Sequence, residues 1–308
     1  MIVPLPVWID TDPTVIRGGH EVDDGIAIAL AFRSPEINVI GVSSIFGNGD
    51  IECCHASAQA IVGAFGPADM PVFRGAAMAG DLRATPAARA LIAAVRSTPP
   101  PGLTIVALGP LTNIAAALAL APELADQILR IIWVAGRLPD QQFRASSRQT
   151  NPFPDLNFEG DRAAARTVLA STVRMALTSW TVCSQVRFGR SHLARLENGD
   201  PVLGSLIDPI GDWLDLWRRD FGVDYFMPFD TLAIACACHI GDVTGFDGVV
   251  WIEDGPVTKL VAAPNYVGDQ PASPARPVWF ATAVDGQFID TLIARIAPAD
   301  SRLKGTMR

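Results

Sequence analysis

Val7-Trp8-Ile9-Asp10-Thr11-Asp12-Pro13, answered after a detour from Thr14 to Val22 by Val22-Asp23-Asp24-Gly25-Ile26-Ala27-Ile28-Ala29-Leu30, is the stretch that decides the fold. An apolar run ends in two alternating carboxylates, and an adjacent carboxylate pair opens an apolar segment. The pattern predicts a buried first strand, a loop at its carboxyl end and a helix N-terminus. In open α/β sheets ligands bind at that edge. Asp10, Asp12, Asp23 and Asp24 would repel one another there, so the cluster calls for a cation, bound protons or strong hydrogen bonds. Oxygen donors suit Ca²⁺ or Mg²⁺ better than zinc. A metal-bound water beside a spare carboxylate is a ready nucleophile. A single Asp here could simply cap the helix, but capping needs only one.

Outward from this stretch, strand-like and helix-like segments alternate, which predicts an open, mostly parallel Rossmann-like sheet with helices on both faces. Ile37 to Ile45 reads as a strand, Ile51 to Phe65 as a helix, Pro71 to Gly75 as a short strand and turn, and Pro86 to Arg96 as a helix. Leu103 to Leu108 is a strand meeting Gly109-Pro110-Leu111-Thr112-Asn113, then an alanine-rich helix to Leu120. This repeats the strand, polar turn, helix order of the opening. Ile128 to Ala135 reads as a strand. Pro139 to Phe158 has no period, and a loop this long in a compact domain is usually functional. Asp161 to Leu169 resumes a helix and Val173 to Thr178 a strand. Ser191 to Phe226 turns helical and aromatic, with Trp213, Trp217, Phe221 and Tyr225 spaced four apart, as core packing or as a wall over a pocket. Asp230 sits at the start of an apolar helix. Val249 to Glu253, Thr258 to Ala262 and Val278 to Thr282 read as peripheral strands, and Phe288 to Ile296 as a terminal helix. No repeat or linker divides the chain, so 1–308 reads as a single domain with a helical rim at its site.

The chain has 308 residues, 49% hydrophobic and 18% charged, with net charge −8. That is ample for a large core. With this acidic balance a nucleic-acid or anionic-membrane surface is not expected. No segment has the apolar length of a membrane span, and the start lacks a signal-peptide pattern. The five cysteines, with no such signal, read as reduced and the protein as cytoplasmic. Cys236-Ala237-Cys238-His239 lies in an apolar helical run and reads as core packing rather than a metal site.

Asp10-Thr11-Asp12-Pro13-Thr14-Val15 also fits the first motif of haloacid-dehalogenase-type phosphatases. That reading requires a later phosphate-holding Lys or Arg, and neither lysine, Lys259 or Lys304, lies in the right interval. It also leaves Asp23-Asp24 unexplained. The chain more fully resembles the inosine–uridine-type nucleoside hydrolases. Asp10-Thr11-Asp12-Pro13 with Asp23-Asp24-Gly25, Ile45-Phe46-Gly47-Asn48, Pro71-Val72-Phe73-Arg74-Gly75-Ala76, Leu108-Gly109-Pro110-Leu111-Thr112-Asn113-Ile114-Ala115, Asp155-Leu156-Asn157-Phe158 with Asp161, and Phe229-Asp230-Thr231-Leu232-Ala233 resemble that family's motifs in order.

The resemblance implies hydrolysis of the N-glycosidic bond of ribonucleosides around one Ca²⁺. The implied ligands are Asp12, Asp24, the Leu108 carbonyl and Asp230, with Asp12 also the general base. Asp23, Asn48 and Asn157 would hold ribose hydroxyls, and Asp155 and Gln149 replace a family Glu and Asn near the sugar. Asp10 would support the loop. Homo-oligomers, dimers or tetramers, are the family's habit. The loop from Thr14 is longer than the family's and carries Arg17, Gly18, Gly19, His20 and Glu21 beside the site. Phe229 stands where relatives have a proton-donating His. Leaving-base activation would then come from His20, from solvent, or from stacking on Trp217, Phe221 or Tyr225. The alternative function is a nucleoside-binding protein with little catalysis.

Overall fold

Residues 3–18, 20–197, 199, 201–266 and 274–298 are described by the computed structural model. The chain opens with β1 (Leu5–Thr11), α1 (Asp23–Phe32), β2 (Ile37–Ser44), α2 (Ile51–Phe65), β3 (Val72–Arg74) and α3 (Pro86–Ser97). A second run follows: β4 (Leu103–Ala107), α4 (Thr112–Leu120), β5 (Ile128–Trp133), α5 (Leu156–Gly160), α6 (Arg162–Ala170) and β6 (Met175–Leu177). The rim comprises α7 (Trp180–Cys183), β7 (Phe188–Gly189), α8 (Arg190–Glu197), α9 (Gly204–Phe221) and β8 (Tyr225–Phe226). The chain then returns through α10 (Phe229–Cys238), β9 (Thr244–Glu253), β10 (Lys259–Ala263), β11 (Arg276–Ala283) and α11 (Phe288–Ile296).

Among the described residues one sheet has the order β10-β9-β11-β6-β5-β4-β1-β2-β3. From β3 to β11 every neighbouring pair is parallel, and β9 and β10 add an antiparallel edge. The chain builds from β1 outward to β3, then jumps back to β4 on the other side of β1. The order therefore reverses between β1 and β4, and a crevice opens at the carboxyl ends of those strands. Asp10 faces Ser43 of β2 and Ala107 of β4 in register, which places its carboxylate at that crevice.

Both faces of the sheet are covered, so the central strands are apolar throughout. One layer holds Val7, Ile9, Ile26, Val106 and Ile132 under α1 and α10. The other holds Trp8, Ile105, Ile131 and Trp133 under α4 and α6. Because α1 and α10 are each surrounded, they are apolar on all sides rather than striped. Cys236 and Cys238 are buried free thiols in α10.

The architecture is the expected one, with local differences. Tyr225 leaves the aromatic helix, because α9 ends at Gly222 in the left-handed conformation (φ 69°) and Tyr225 joins β8. The strand over Val278 to Thr282 is interior rather than peripheral: it docks beside β6 and carries β9 and β10 outward. A short helix, α5, forms at the end of the aperiodic segment.

Asn113 joins both halves at the switch point. Its Nδ2 donates to Asp10 Oδ1 at 2.8 Å and to the Ser44 carbonyl at 3.1 Å, and its Oδ1 accepts from the Ala76 amide at 2.9 Å. Asn113→Ala strands these buried groups and is expected to destabilise the protein by about 3 kcal/mol, read as a lower urea midpoint at unchanged slope.

Candidate active site

The loop after β1 turns back on itself to present α1. Asp12 is anchored by the backbone amide of Asn48, which donates to its Oδ2 at 2.7 Å. Gly47 allows this approach, since a Cβ there would lie 1.9 Å from Asp12 Oδ2. Asp24 Oδ1 accepts from the Thr11 hydroxyl and, at 3.2 Å, from the Asp12 amide. The first turn of α1 has no cap from Val22. Glu21 takes that role, its Oε1 accepting from the Asp24 amide at 2.9 Å. Asn48 Nδ2 donates to Glu21 Oε2 at 3.1 Å and to Asp24 Oδ2 at 3.2 Å.

Glu21, Asp24 and Asp230 each turn a carboxylate oxygen to a point where all three lie within 4.8 Å of one another. Asp230 arrives on the first turn of α10 and Asp23 on the first turn of α1. Both line a cavity of about 200 Å³ with Glu21, Asn48, Leu108, Asp155 and Asn157. No ion pair among the described residues reaches this group of carboxylates. The donors it meets from other residues are amides and hydroxyls, and its carboxyl groups also hydrogen-bond one another, Glu21 with Asp23 and Asp24 with Asp230. Asp12 Oδ1 and Asp10 Oδ2 are buried with no partner.

Burial governs the titration of the whole cluster. It pushes Asp10 up to about 7 against the hydrogen bonds of Ser43 and Asn113. It pushes Asp24 up to about 6. Asp12, Glu21 and Asp230 are raised well above the ordinary range, first by burial and then by neighbouring carboxylate charges, chiefly those of Asp24 and Asp23. Asp155 rises to about 6, again by burial, although the Gly136 amide donates to it at 2.8 Å. Without a cation, burial shifts each of these groups toward its protonated form.

The opposite wall is aromatic. Phe143 stacks on Trp180 at 5.1 Å, Trp180 leans on Phe229 at 5.6 Å, and Phe153 sits between Trp180 and Trp217. Trp213 and Trp217 complete the lining from α9. The cavity is thus acidic at its floor and apolar along its side.

The chain matches the sequence profile described as inosine-uridine preferring nucleoside hydrolase over residues 7–287. It belongs to that family. It is 26% identical to a probable uridine nucleosidase of Oryza sativa subsp. japonica, over 91% of this chain and 89% of the relative. It is 28% identical to a non-specific ribonucleoside hydrolase of Escherichia coli, over 62% of this chain and 66% of the relative. A plant nucleoside hydrolase of known structure superposes with a TM-score of 0.81 at 25% identity, covering 96% of this chain and 100% of that one. The fold is that of the nucleoside hydrolases, and the protein is an N-glycosyl hydrolase. Among the described residues no helix is long and apolar enough to cross a membrane.

Most residues singled out in the sequence meet here. Asp23, Asn48, Leu108, Asp155, Asn157, Trp217, Phe229 and Asp230 line the cavity, and Asp12 and Asp24 lie at its floor, bonded to the lining residue Asn48. Asp12 is not one of the three converging carboxylates; it adjoins Asp24. Asn157 Nδ2 donates to the carbonyls of Leu108 at 2.6 Å and Val134 at 2.9 Å, so its amide nitrogen is engaged by backbone. Gln149 and Phe221 do not line the cavity. Gln149 braces its own loop through Ala145 and Asn151, and Phe221 backs Phe153 and Trp217. His20 is exposed and outside the cavity wall, and Gly19 lies outside the described residues. Trp213 lines the cavity as a member of the aromatic stripe, whereas Glu21, Phe153 and Trp180 have no role assigned from sequence. Trp180 was detectable in principle, since it follows a strand end, where site residues gather.

A carboxyl whose folded pKa exceeds its unfolded value binds more protons folded than unfolded. Its contribution to stability is present below about pH 4 and is lost as the pH rises through the folded pKa, at about 1.4 kcal/mol per pH unit per proton. The chelated protein is expected to lose thermal stability between about pH 4 and 7. Asp10→Asn, which removes one such proton and keeps the acceptor for Ser43 and Asn113, is expected to flatten that fall and to be the more stable protein at pH 7.5.

Proposed function

We propose that this protein hydrolyses ribonucleosides to ribose and free base, with a Ca²⁺ ion held by Asp12, Asp24, Asp230 and the Leu108 carbonyl. The buried, unpartnered Asp12 Oδ1 within an all-oxygen cluster that lacks a protein cation carries this reading. Such a donor set fits a hard divalent ion, and Leu108 O keeps a second lone pair beside its bond from Asn157. When bound, the ion would lower the pKa of a water molecule and help to orient the sugar.

The chain's own residues do the rest. Asp12 takes the proton of the attacking water; its Oδ2 is held by the Asn48 amide, leaving Oδ1 to accept. Asp23 and Asn48 hold ribose hydroxyls at the floor, and Asp155 lies along the sugar with its carboxyl fixed by the Gly136 amide. As the glycosidic bond breaks, the sugar gains oxocarbenium character, and these carboxylates stabilise it. Trp180, Trp217 and Phe153 stack the base. Phe229 brings no proton to the leaving group. The base leaves by acquiring a proton from solvent, aided by the rings, and His20 stands too far out on its loop to line the path.

Ribose release from a panel of ribonucleosides, with and without chelation, tests this. Turnover is expected to vanish on chelation, return with Ca²⁺, and fall by about 100-fold or more in Asp12→Asn. Release that survives both treatments sinks the reading. Stacking on Trp217 is worth ~1–3 kcal/mol per base, so Trp217→Ala is expected to raise KM about tenfold in protein shown to be folded; unchanged KM and kcat remove that residue from base binding.

A further inference from the structure

Glu21 belongs to the stretch between Asp12 and Asp23 in which this chain departs from the family's short turn. That stretch is pinned at several points. Thr14 Oγ1 donates to the Glu21 carbonyl at 3.1 Å, the Ile16 amide donates to Ser57 Oγ at 3.4 Å, and Arg17 pairs with Asp50 at 3.2 Å. Its end is therefore fixed where it meets α1, and the Glu21 side chain turns inward to line the floor of the cavity beside Asp23 and Asp230.

Oε1 of that carboxylate accepts from the Asp24 amide and Oε2 from Asn48 Nδ2, and the side chain also lies within hydrogen-bond reach of the Asp23 and Asp24 carboxyls. Both donors are neutral, and each oxygen retains lone pairs. A glutamate needed only to cap α1 would have no reason to share Asn48 with Asp24, nor to bring an oxygen within 4.8 Å of those of Asp24 and Asp230. Three ionised carboxylates so placed repel, which either shared protons or a cation among them relieves, and a cation alone lets all three stay charged. Beside them Asp12 Oδ1 is buried with no partner, an independent mark of a missing electrophile.

We infer that Glu21 is a direct ligand of the divalent cation at this site, supplying a carboxylate oxygen in a position that would otherwise be filled by water. This rests on the proposal that the site holds Ca²⁺. A hard ion of this kind accepts six to eight oxygens in loose geometry, so one more carboxylate can join without displacing the others. Ligand charge sets affinity in such sites. The detour therefore serves retention of the ion, and its cost is greater repulsion when the ion is absent.

The test uses the full-length protein with Ca²⁺ and with Tb³⁺, whose emission the cavity tryptophans Trp180, Trp213 and Trp217 can sensitise. Emission lifetimes in H₂O and D₂O count the water molecules bound to the ion. Glu21→Gln keeps an acceptor for the Asp24 amide and removes the charge. It is expected to bind one more water than the wild type and to hold Ca²⁺ about 10- to 100-fold more weakly in chelator competition. It is also expected to be thermally more stable than the wild type when both are metal-free. Glu21→Asp, which shortens the reach, is expected to gain the same water and serves if the Gln variant does not fold. Equal water counts and equal Ca²⁺ affinity in wild type and variants would overturn the assignment while leaving the cation site intact. A wild type that binds neither ion would instead overturn the site itself.

Discussion

Mutual repulsion among buried carboxylates at the switch point between β1 and β4 is the constraint on which the rest of the structure depends. Asp10, Asp12, Asp23, Asp24 and Asp230 are all nearly inaccessible, and burying even one unpaired charge is costly. The protein could have neutralised them with arginine, of which it has many. Instead the arginine ion pairs among the described residues lie elsewhere, mostly on the surface, and the cluster is held by Thr11, Ser43, Asn48 and Asn113. Neutral donors fix geometry and leave the negative charge in place. The scaffold answers with rigidity: β1 and β4 are fully buried where they meet the site, and α1 and α10 pack tightly enough to deliver Asp24 and Asp230 to one point. A site organised this way would keep an affinity for cations that a salt-bridged one would lose.

This constraint is also why so much was readable from the sequence. Carboxylates at the ends of apolar runs are conspicuous, because nothing in a core tolerates them casually, and Asp10, Asp12, Asp23, Asp24 and Asp230 all stand at such junctions. The sheet was readable for the same reason, since doubly covered strands are continuous apolar runs. What escaped had no local mark. Phe153 lies in an aperiodic loop, and its position between Trp180 and Trp217 is set by long-range packing. The place of β11 inside the sheet is a pairing choice that periodicity does not encode. The aromatic spacing of four carried Trp213 and Trp217 to the cavity but misplaced Tyr225, because Gly222 ended the helix first. Gln149 failed as a lining residue through its own chemistry: a side-chain amide in a loop satisfies nearby backbone before it reaches anything else.

Glu21 shows where a motif comparison is weakest. Aligning Asp12 and Asp23 with a short family turn treats the intervening residues as slack. The structure shows those residues pinned to α2 and to Thr14, with a carboxylate returned to the cluster. Sequence reading placed Glu21 near the site but gave it no task, because no spacing rule says which residue of a detour turns inward. Length in a loop is cheap in entropy, so an insertion of this kind can add a ligand without disturbing the sheet.

The division of the cavity into an acidic floor and an aromatic side has a consequence for discrimination. Polar groups that meet a substrate hydroxyl reject an analogue lacking it strongly, because buried partners are then left unpaired, whereas an apolar wall separates similar shapes only modestly. On the proposed orientation the floor reads the ribose, and the rings of Trp180, Trp217 and Phe153 meet the base. A ring face offers every base a surface and none a unique partner. Phe229 extends that logic, for a histidine there would favour bases with an acceptor at one position, and a phenyl group imposes no such choice. On that orientation the sugar would be the recognised part of the substrate, and tolerance toward the base would follow from the apolar wall.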